Sequence, residues 1–257
     1  MAERSRDRRI RAYIGLGANL GDPAAALTWA VAALAGVPGV RVRGVSRLYA
    51  TAPFGVTDQP EFRNAVAALD VPAGPFPEAG ALALLAELKT LEREAGRRVG
   101  ARWGPRELDL DLLVFGRHAI LVDRPPEGRS VDATSDPVKA VRSLEVPHRD
   151  LGERLFVLAP LADLVPGLIP PGWRETVETR RRALAALEPD DAVRVIGVWD
   201  PARNTWTLTG DVSRGRRRPP RSPPAFQTAG LPHRSPSARG ARLPAQTLRS
   251  AGLSNHR

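Results

Sequence analysis

Apolar and polar side chains alternate in the middle of the chain with a period of two, the repeat of a β-strand with one buried face. Leu108, Leu110 and Leu112 fall on one side of this strand, and Asp109 and Asp111 fall on the other. Carboxylates that share a face repel each other unless a cation lies between them. The pattern therefore predicts either a site for a hard cation or the solvated acidic face of an edge strand.

The same periodicities predict helices and strands along the first half of the chain. Asp22 and Pro23 mark a helix start, because Asp22 can act as N-cap and proline is tolerated at the first helical position. Gly96 favours the end of a second helix. In order, the predicted elements are a strand from Arg11 into a glycine-rich turn before Asp22, a helix from Pro23 to near Gly36, strands at Val40–Ala50 and Glu61–Leu69, a helix at Ala79–Ala95, and the strand of Asp109 and Asp111.

This succession of strand, helix, strand, strand, helix and strand predicts an α+β fold, a ferredoxin-like antiparallel sheet with helices packed on it. Residues 116–145 are rich in proline, serine and charge, which predicts a long loop or insertion. Downstream we expect a short helix or turn at Ala159–Pro170, a helix at Trp173–Leu187, and a hairpin formed by Val193–Trp199 and Thr205–Thr209.

Composition narrows the class of protein. The chain has 257 residues, of which 42% are hydrophobic, and it contains no cysteine. Disulfides and thiolate metal sites are therefore excluded, and a cytoplasmic location is expected. The sequence has no apolar run of membrane-spanning length and no secretory signal at its start, so we expect no membrane association.

Charge is distributed unevenly. The formal net charge is +10, and residues 212–257 hold ten arginines and no lysine or acidic residue, so the rest of the chain is balanced. Residues 211–257 lack apolar periodicity, which predicts a disordered basic tail. Such a tail suggests either nucleic-acid binding or GC-rich sequence translated without selection for structure.

Basic side chains precede the aspartate strand. The Trp103–Arg106 turn is rigid by composition and carries a guanidinium, the group best suited to bind a phosphate through two hydrogen bonds. Arg97, Arg98 and Arg102 lie just upstream. With the aspartates, these arginines form either a solvated ion-pair cluster or a site that neutralises a polyphosphate together with Mg²⁺.

Four motifs follow one another between about residues 10 and 170. They are Gly17-Ala18-Asn19-Leu20-Gly21-Asp22; Thr51-Ala52-Pro53-Phe54-Gly55 with Asp58-Gln59-Pro60-x-Phe62-x-Asn64; Arg102-Trp103-Gly104-Pro105-Arg106-x-Leu108-Asp109-Leu110-Asp111; and Val146-Pro147-His148 with Arg154 and Phe156. Together they resemble the motifs of the 6-hydroxymethyl-7,8-dihydropterin pyrophosphokinase family of folate biosynthesis. The resemblance implies an ATP-dependent diphosphotransferase that converts the hydroxymethyl-dihydropterin to its diphosphate and releases AMP.

The resemblance also implies which residues bind ATP. Asp109 and Asp111 would hold two Mg²⁺ ions that bridge the phosphates, and Arg97 and Arg106 would be catalytic with them. In the loop before Trp103, a second catalytic-arginine role would belong to either Arg98 or Arg102. The further ATP-binding residues that the resemblance implies are Glu92, Arg98, Arg102, Trp103, His148 and Arg154.

A pterin site is implied by the same resemblance. Phe62 and Phe156 would stack on the two faces of the pterin ring, and Asn64 would hydrogen-bond its edge. The loop that binds the pterin through its backbone would contain Thr51, Pro53 and Phe54.

These implications give a domain organisation and a set of partners. A pyrophosphokinase domain would span residues 10–175 with an insertion at 117–145, followed by an extension at 176–210 and the tail at 211–257. We expect small-molecule substrates, ATP and the pterin, and a monomer. Nucleic-acid binding through the tail is the alternative function.

Overall fold

The computed structural model describes residues 8–53, 58–96, 104–129 and 143–209. Its strands are β1 Arg9–Ala18, β2 Arg41–Val45, β3 Leu48–Thr51, β4 Phe62–Pro72, β5 Asp109–Phe115, β6 Ile120–Asp123, β7 Ser143–Val146, β8 Val193–Asp200 and β9 Thr205–Leu208. Its α-helices are α1 Pro23–Gly36, α2 Pro77–Glu94, α3 Leu155–Leu164 and α4 Val177–Ala185. Within the described ranges, no helix is long and apolar enough to cross a membrane.

Seven of the described strands form one antiparallel sheet. Its order is β5-β1-β4-β3-β8-β9, and β2 also pairs with β4, beyond the end of β3. Strand β1 is therefore an interior strand, with β4 on one side and the edge strand β5 on the other. This arrangement of an antiparallel sheet with packed helices confirms the predicted α+β class.

One face of the sheet, here called the core face, packs against α1 and α2. Ile14, Leu16 and Leu110 lie on this face and join Leu27 of α1 and Leu88 of α2 in one buried apolar cluster. Every second residue of β1 points this way, as do Leu110 and Leu112 of β5 before an irregularity in the β1–β5 register, so the cluster is continuous across these strands.

The opposite face, here called the site face, packs against α3 and α4. Tyr13, Val66 and Leu113 contribute to a second apolar cluster with Leu158 of α3 and Val177 of α4. The two helix layers thus cover opposite faces of the same central strands, which is how a sheet buries both of its sides.

Several predicted elements are confirmed. The Asp22 side chain caps α1 by accepting a hydrogen bond from the backbone N–H of Ala25 at 3.0 Å, and Pro23 takes the first helical position. Helix α2 ends just before Gly96, which has a φ of +86°. Strands β8 and β9 form the predicted hairpin.

The prediction of one strand at Val40–Ala50 is wrong, because the segment divides into β2 and β3 at Ser46. The Ser46 hydroxyl accepts a hydrogen bond from Val66 N–H at 2.9 Å, and Ser46 N–H donates to the Val66 carbonyl at the same distance. The side chain thereby takes the place of a backbone partner and interrupts the ladder. Trp206 of β9 donates its indole N–H to the Ser46 carbonyl.

The glycine-rich turn predicted before Asp22 begins later than expected. Gly15 and Gly17 lie inside β1, where both pair with β4 and with β5. Only Gly21, with a φ of +62°, needs the left-handed conformation of a turn.

The region predicted as a loop at 116–145 contains a small sheet. Strands β6 and β7 pair with Ile120 opposite Val146, and both residues are buried in the core-face cluster. The two segments are short and distant in sequence, so local periodicity does not reveal their pairing. Residues 130–142 lie outside the described ranges.

The two C-terminal helices differ from the predicted helices in their bounds. The helix predicted at Ala159–Pro170 is α3, which begins at Leu155 and contains Pro160 in its interior. The helix predicted at Trp173–Leu187 is the shorter α4. Because α4 packs on α3 and β8 pairs with β3, the described residues of this part join the main sheet and its helix layer. The division into a domain at 10–175 and an extension at 176–210 stays a prediction.

Candidate active site

The two aspartates of β5 form the centre of the candidate site. Asp109 and Asp111 project from the site face on either side of Leu110, whose side chain is buried on the core face. Both aspartates are partly exposed, and the guanidinium of Arg106 lies 4.0 Å from the Asp109 carboxylate. The predicted alternation of this strand is confirmed, and it places a phosphate-compatible cation beside two carboxylates.

Glycines of β1 keep the surface beside the aspartates free of side chains. Gly17 pairs with Asn64 on one side and with Asp109 on the other, and Gly15 pairs with Asp111. Directly opposed residues of antiparallel strands project to the same face. A Cβ at Gly17 would lie 3.3 Å from the Asn64 Oδ1 and 3.9 Å from the Asp109 Cβ. Because glycine has no side chain, the sheet surface between the Asn64 amide and the Asp109 carboxylate stays uncovered at Gly17.

Asn64 lies across Gly17 from the aspartates. Its Nδ2 donates a hydrogen bond to the Thr51 hydroxyl at 2.8 Å, and both side chains are buried. Thr51 pairs with Phe62, so the threonine, the asparagine and the half-buried phenylalanine share the site face. Three residues of the predicted pterin site are thus brought together, and the half-buried Pro53 follows β3 closely.

An asparagine that the sequence shows only as part of a motif connects the site segments. Asn19 is 2% exposed; its Oδ1 accepts a hydrogen bond from Arg106 N–H at 2.7 Å. Its Nδ2 donates to the Gln59 side chain and to the Pro60 carbonyl, both at 3.0 Å. The end of β1 therefore fixes both the arginine turn and the segment before Phe62. No periodicity distinguishes such an asparagine from a surface residue.

His148 follows β7 after a cis Val146–Pro147 peptide and lies against β5. Its backbone N–H donates to the Leu113 carbonyl at 2.9 Å. Its Nδ1 accepts a hydrogen bond from the backbone N–H of Asp150 at 3.2 Å. The neutral ring therefore carries its proton on Nε2, which is the nitrogen left to donate to a ligand.

Arg154 and Phe156 stand at the start of α3, which packs on the site face. Arg154 pairs with Asp150, and its guanidinium carbon lies 5.8 Å from the centroid of the Phe156 ring. Both side chains are only partly buried. The guanidinium is thus anchored by an acid and an aromatic ring next to the His148 turn.

A buried tyrosine joins β3 to α3 beside Asn64. Tyr49 pairs with Asn64 across the sheet and donates its hydroxyl to Asp163 of α3 at 2.9 Å. Burial raises the pKa of Tyr49, and the negative charge of Asp163 raises it further. The phenol therefore stays a neutral donor, and Arg47 balances the aspartate.

Glu92 lies on α2, behind β5. Its Oε1 accepts hydrogen bonds from Lys89 Nζ at 2.6 Å and from Leu110 N–H at 2.8 Å, and its side chain is 1% exposed. These hydrogen bonds hold β5 to α2 at the outer edge of the strand. A role for Glu92 in ATP binding stays a prediction.

Five predicted site residues lie outside the described ranges. They are Phe54, Arg97, Arg98, Arg102 and Trp103. Six predicted site residues lie in one region of the structure: Asp109, Asp111, Arg106, Asn64, Thr51 and Phe62. Three further residues contact this site or its strand and were not predicted to do so: Gly17, Asn19 and Lys89.

The part of the chain that contains the candidate site is similar to known proteins. The sequence model of the 7,8-dihydro-6-hydroxymethylpterin-pyrophosphokinase family matches residues 13–166. The chain belongs to this pyrophosphokinase family. The match runs from β1 to the end of α3 and contains every site residue named above.

Two curated members of the pyrophosphokinase family are similar over most of their length. The 2-amino-4-hydroxy-6-hydroxymethyldihydropteridine pyrophosphokinase of Methylorubrum extorquens is 42% identical over 185 residues, covering 72% of this chain and 98% of that protein. The enzyme of the same name from Pseudomonas aeruginosa is 41% identical over 168 residues, covering 65% of this chain and 88% of that protein.

A solved structure supports the pyrophosphokinase fold. Wild-type Plasmodium falciparum HPPK-DHPS with pteroate has a TM-score of 0.55 at 12% identity, over 78% of this chain. This chain spans about half the length of that protein, 48% by alignment. The likeness extends the evidence for the fold beyond the sequence match, which ends before α4, β8 and β9.

Proposed function

We propose that this chain transfers the diphosphate of ATP to the hydroxymethyl group of 6-hydroxymethyl-7,8-dihydropterin and releases AMP, a step in folate biosynthesis. As a pyrophosphokinase family member, the chain is an enzyme of the diphosphotransferase type. The observation that carries the proposal is the family match over residues 13–166, which includes the Asp109 and Asp111 pair with Arg106 beside it.

Two Mg²⁺ ions are proposed as metal cofactors, held by Asp109 and Asp111. The described residues contain no group of three or more His, Cys, Asp or Glu side chains that could hold a metal by themselves. The pair of carboxylates fits Mg²⁺, because this ion is commonly bound by one or two carboxylates together with substrate phosphates. When bound, Mg²⁺ neutralises the charge that develops on the transferring phosphates.

The proposed reaction forms a bond from the hydroxymethyl oxygen to the β-phosphorus of ATP. The bond from that phosphorus to the oxygen retained by AMP breaks, and the hydroxyl proton is released. Such transfers depend mostly on positioning and charge neutralisation. Arg106, whose backbone is held by Asn19 and whose guanidinium lies 4.0 Å from the Asp109 carboxylate, would bind phosphate oxygens there. His148 Nε2–H and the Arg154 guanidinium would donate to the same polyphosphate.

The pterin is proposed to bind over Gly17. Asn64 uses its Nδ2 on Thr51, so its Oδ1, which faces the Gly17 position, is available to accept from an N–H at the edge of the pterin ring. Phe62 and Phe156 are both half-buried, which suits rings that stack on a ligand. Placing the ring there would direct its hydroxymethyl group towards the aspartates across the sheet.

Finer features of the enzyme are also proposals. The order of β5, β1, β4 and β3 with α1 and α2 between strands supports a ferredoxin-like description of the sheet. A cytoplasmic location is consistent with the absence of cysteine from the sequence. A monomer stays a prediction. Nucleic-acid binding through the tail is not supported by the family match, and residues 210–257 lie outside the described ranges.

The test is an assay of the full chain with ATP, Mg²⁺ and the hydroxymethyl-dihydropterin, followed by ³¹P NMR and chromatography. We expect AMP and a pterin diphosphate in equal amounts, and no AMP when the pterin is omitted. Formation of ADP with a pterin monophosphate, or no pterin-dependent AMP, would contradict the proposal.

A further inference from the structure

A buried ion pair in α2 lies outside the chemistry described so far. Lys89 Nζ and Glu92 Oε1 are 2.6 Å apart, and their side chains are 5% and 1% exposed. They sit beside Leu88 and Leu91, which belong to the apolar core-face cluster. Removing two charges from water is costly, so a buried ion pair by itself adds little to stability.

Both members of the pair bind the backbone of Leu110. Lys89 Nζ donates to the Leu110 carbonyl at 2.9 Å, and Glu92 Oε1 accepts from Leu110 N–H at 2.8 Å. Among the strands in the described ranges, β5 is the last of the main sheet on this side, and no other described strand pairs with its outer edge at Leu110. The ion pair supplies the donor and the acceptor that a neighbouring strand would supply.

Leu110 stands between the two aspartates. Its N–H belongs to the peptide unit shared with Asp109, and its carbonyl belongs to the peptide unit shared with Asp111. The inner edge of the same segment is paired with Gly15 and Gly17 of β1. Both edges of the strand are therefore fixed at the position where the carboxylates project.

We infer that Lys89 and Glu92 are positioning residues that hold β5 at Leu110 and so fix the orientation of Asp109 and Asp111 for metal binding. The inference rests on the proposed function, which gives the aspartates their metal. It assigns to Glu92 a role through the strand, distinct from direct contact with the nucleotide. Groups that orient metal ligands commonly change metal affinity when they are removed.

The decisive variant is Lys89→Met combined with Glu92→Met, which removes both polar groups without leaving a buried unpaired charge. Mn²⁺ binding is measured by electron paramagnetic resonance with a non-hydrolysable ATP analogue, and analogue binding is measured separately with EDTA. We expect Mn²⁺ affinity to fall about 10- to 100-fold, while metal-free analogue binding changes less than about twofold. Exchange of the Leu110 amide hydrogen, followed by NMR in metal-free protein, should accelerate.

The matched control is Glu87→Gln on the exposed side of the same helix, which should leave all three measurements unchanged. Unchanged Mn²⁺ affinity in the double variant would overturn the inference, as would a loss confined to metal-free nucleotide binding. If the double variant does not fold, Glu92→Gln is measured instead, and unchanged Mn²⁺ affinity overturns the inference there too. Failure of the proposed function would appear separately, as wild-type protein that forms no pterin-dependent AMP.

Discussion

The two faces of the main sheet are built from the same strands but carry different kinds of side chain. On the core face, Ile14, Leu16 and Leu112 are buried among apolar neighbours. One residue away along the same strands, the site face carries Gly17 and Asp111. The core-face positions of β1 and β5 thus serve packing, whereas the site-face positions near Gly17 carry the candidate chemistry and those at Tyr13 and Leu113 pack against the second helix layer.

This division means that the site rests on a surface whose reverse side is fully packed. Asp109 and Asp111 gain a rigid base from Leu108, Leu110 and Leu112, each of which is at most 2% exposed. Rigid elements hold functional groups more accurately than loops do. We therefore expect substitutions at the partly exposed site positions Asp109 and Asp111 to change activity with little effect on stability, and substitutions of buried residues on the core face to do the reverse.

The largest effect is expected from neutralising the aspartates. Asp109→Asn and Asp111→Asn keep the size of each side chain but remove the charge proposed to hold Mg²⁺. Each should lower the rate of AMP formation by about 10²- to 10³-fold or more, with a melting temperature close to that of the wild type. Near-normal turnover in either variant would break the contrast between the faces.

A smaller effect is expected across the sheet at Asn64. Asn64→Ala removes the acceptor proposed for the pterin edge and leaves the Thr51 hydroxyl without its donor. Loss of a hydrogen bond of this kind is worth about 1–3 kcal/mol, so KM for the pterin should rise by roughly tenfold or more. KM for ATP should change little; equal changes in both constants would argue against a pterin contact. Thr51→Val serves as the control that removes only the supporting hydroxyl.

Gly17→Ala adds a single methyl group to the sheet surface between Asn64 and Asp109. The new Cβ would stand 3.3 Å from Asn64 Oδ1, closer than most Cβ contacts in folded proteins. We expect kcat/KM for the pterin to fall about fivefold or more because the amide must shift. The matched change Gly15→Ala meets Leu113 at 3.4 Å instead, and it should affect the pterin less. A larger loss of kcat/KM in the Gly15 variant would contradict the proposed binding of the pterin over Gly17.

The smallest effect is expected at the other end of the site face, where Asp70 pairs with Arg11 and Arg43. The hydrogen bond from Arg11, followed by that from Arg43, holds the pKa of Asp70 below its usual value. Its ionised form therefore stabilises the fold above the pKa of the unfolded state, and this contribution is lost as the pH falls through the lower folded pKa.

Asp70→Asn should consequently destabilise the protein at neutral pH by less than about 1 kcal/mol, because both arginines are substantially exposed. The difference from the wild type should disappear in acid, as measured by urea unfolding at several pH values. Turnover should not change. A loss of turnover in Asp70→Asn would extend the functional region along the whole site face.

The core face could be predicted from the sequence, because its signal is local. The alternation around Leu110 and the capping of α1 by Asp22 depend on residues close together in the chain, and both are confirmed. The division at Ser46 could not be predicted, since it depends on Val66 and on Trp206, the latter 160 residues away.

The candidate site could be predicted only in part. Asp109 and Asp111 carry a pattern of their own, and the resemblance to known motifs supplied Asn64 and its neighbours. Gly17 and Lys89 act through partners in other elements, and nothing in their local sequence distinguishes them from an ordinary strand glycine and a helix lysine. Such roles become visible only when the strands and helices are placed in space.

The most direct test of the division between the faces compares two neighbours on β5, Asp111→Asn and Leu112→Ala. Urea unfolding and pterin-dependent AMP formation are measured on both. We expect Leu112→Ala to lose about 2–5 kcal/mol of stability while its folded fraction keeps most of its turnover, and Asp111→Asn to keep its stability and lose its turnover. Loss of turnover in folded Leu112→Ala together with an active Asp111→Asn would contradict the account.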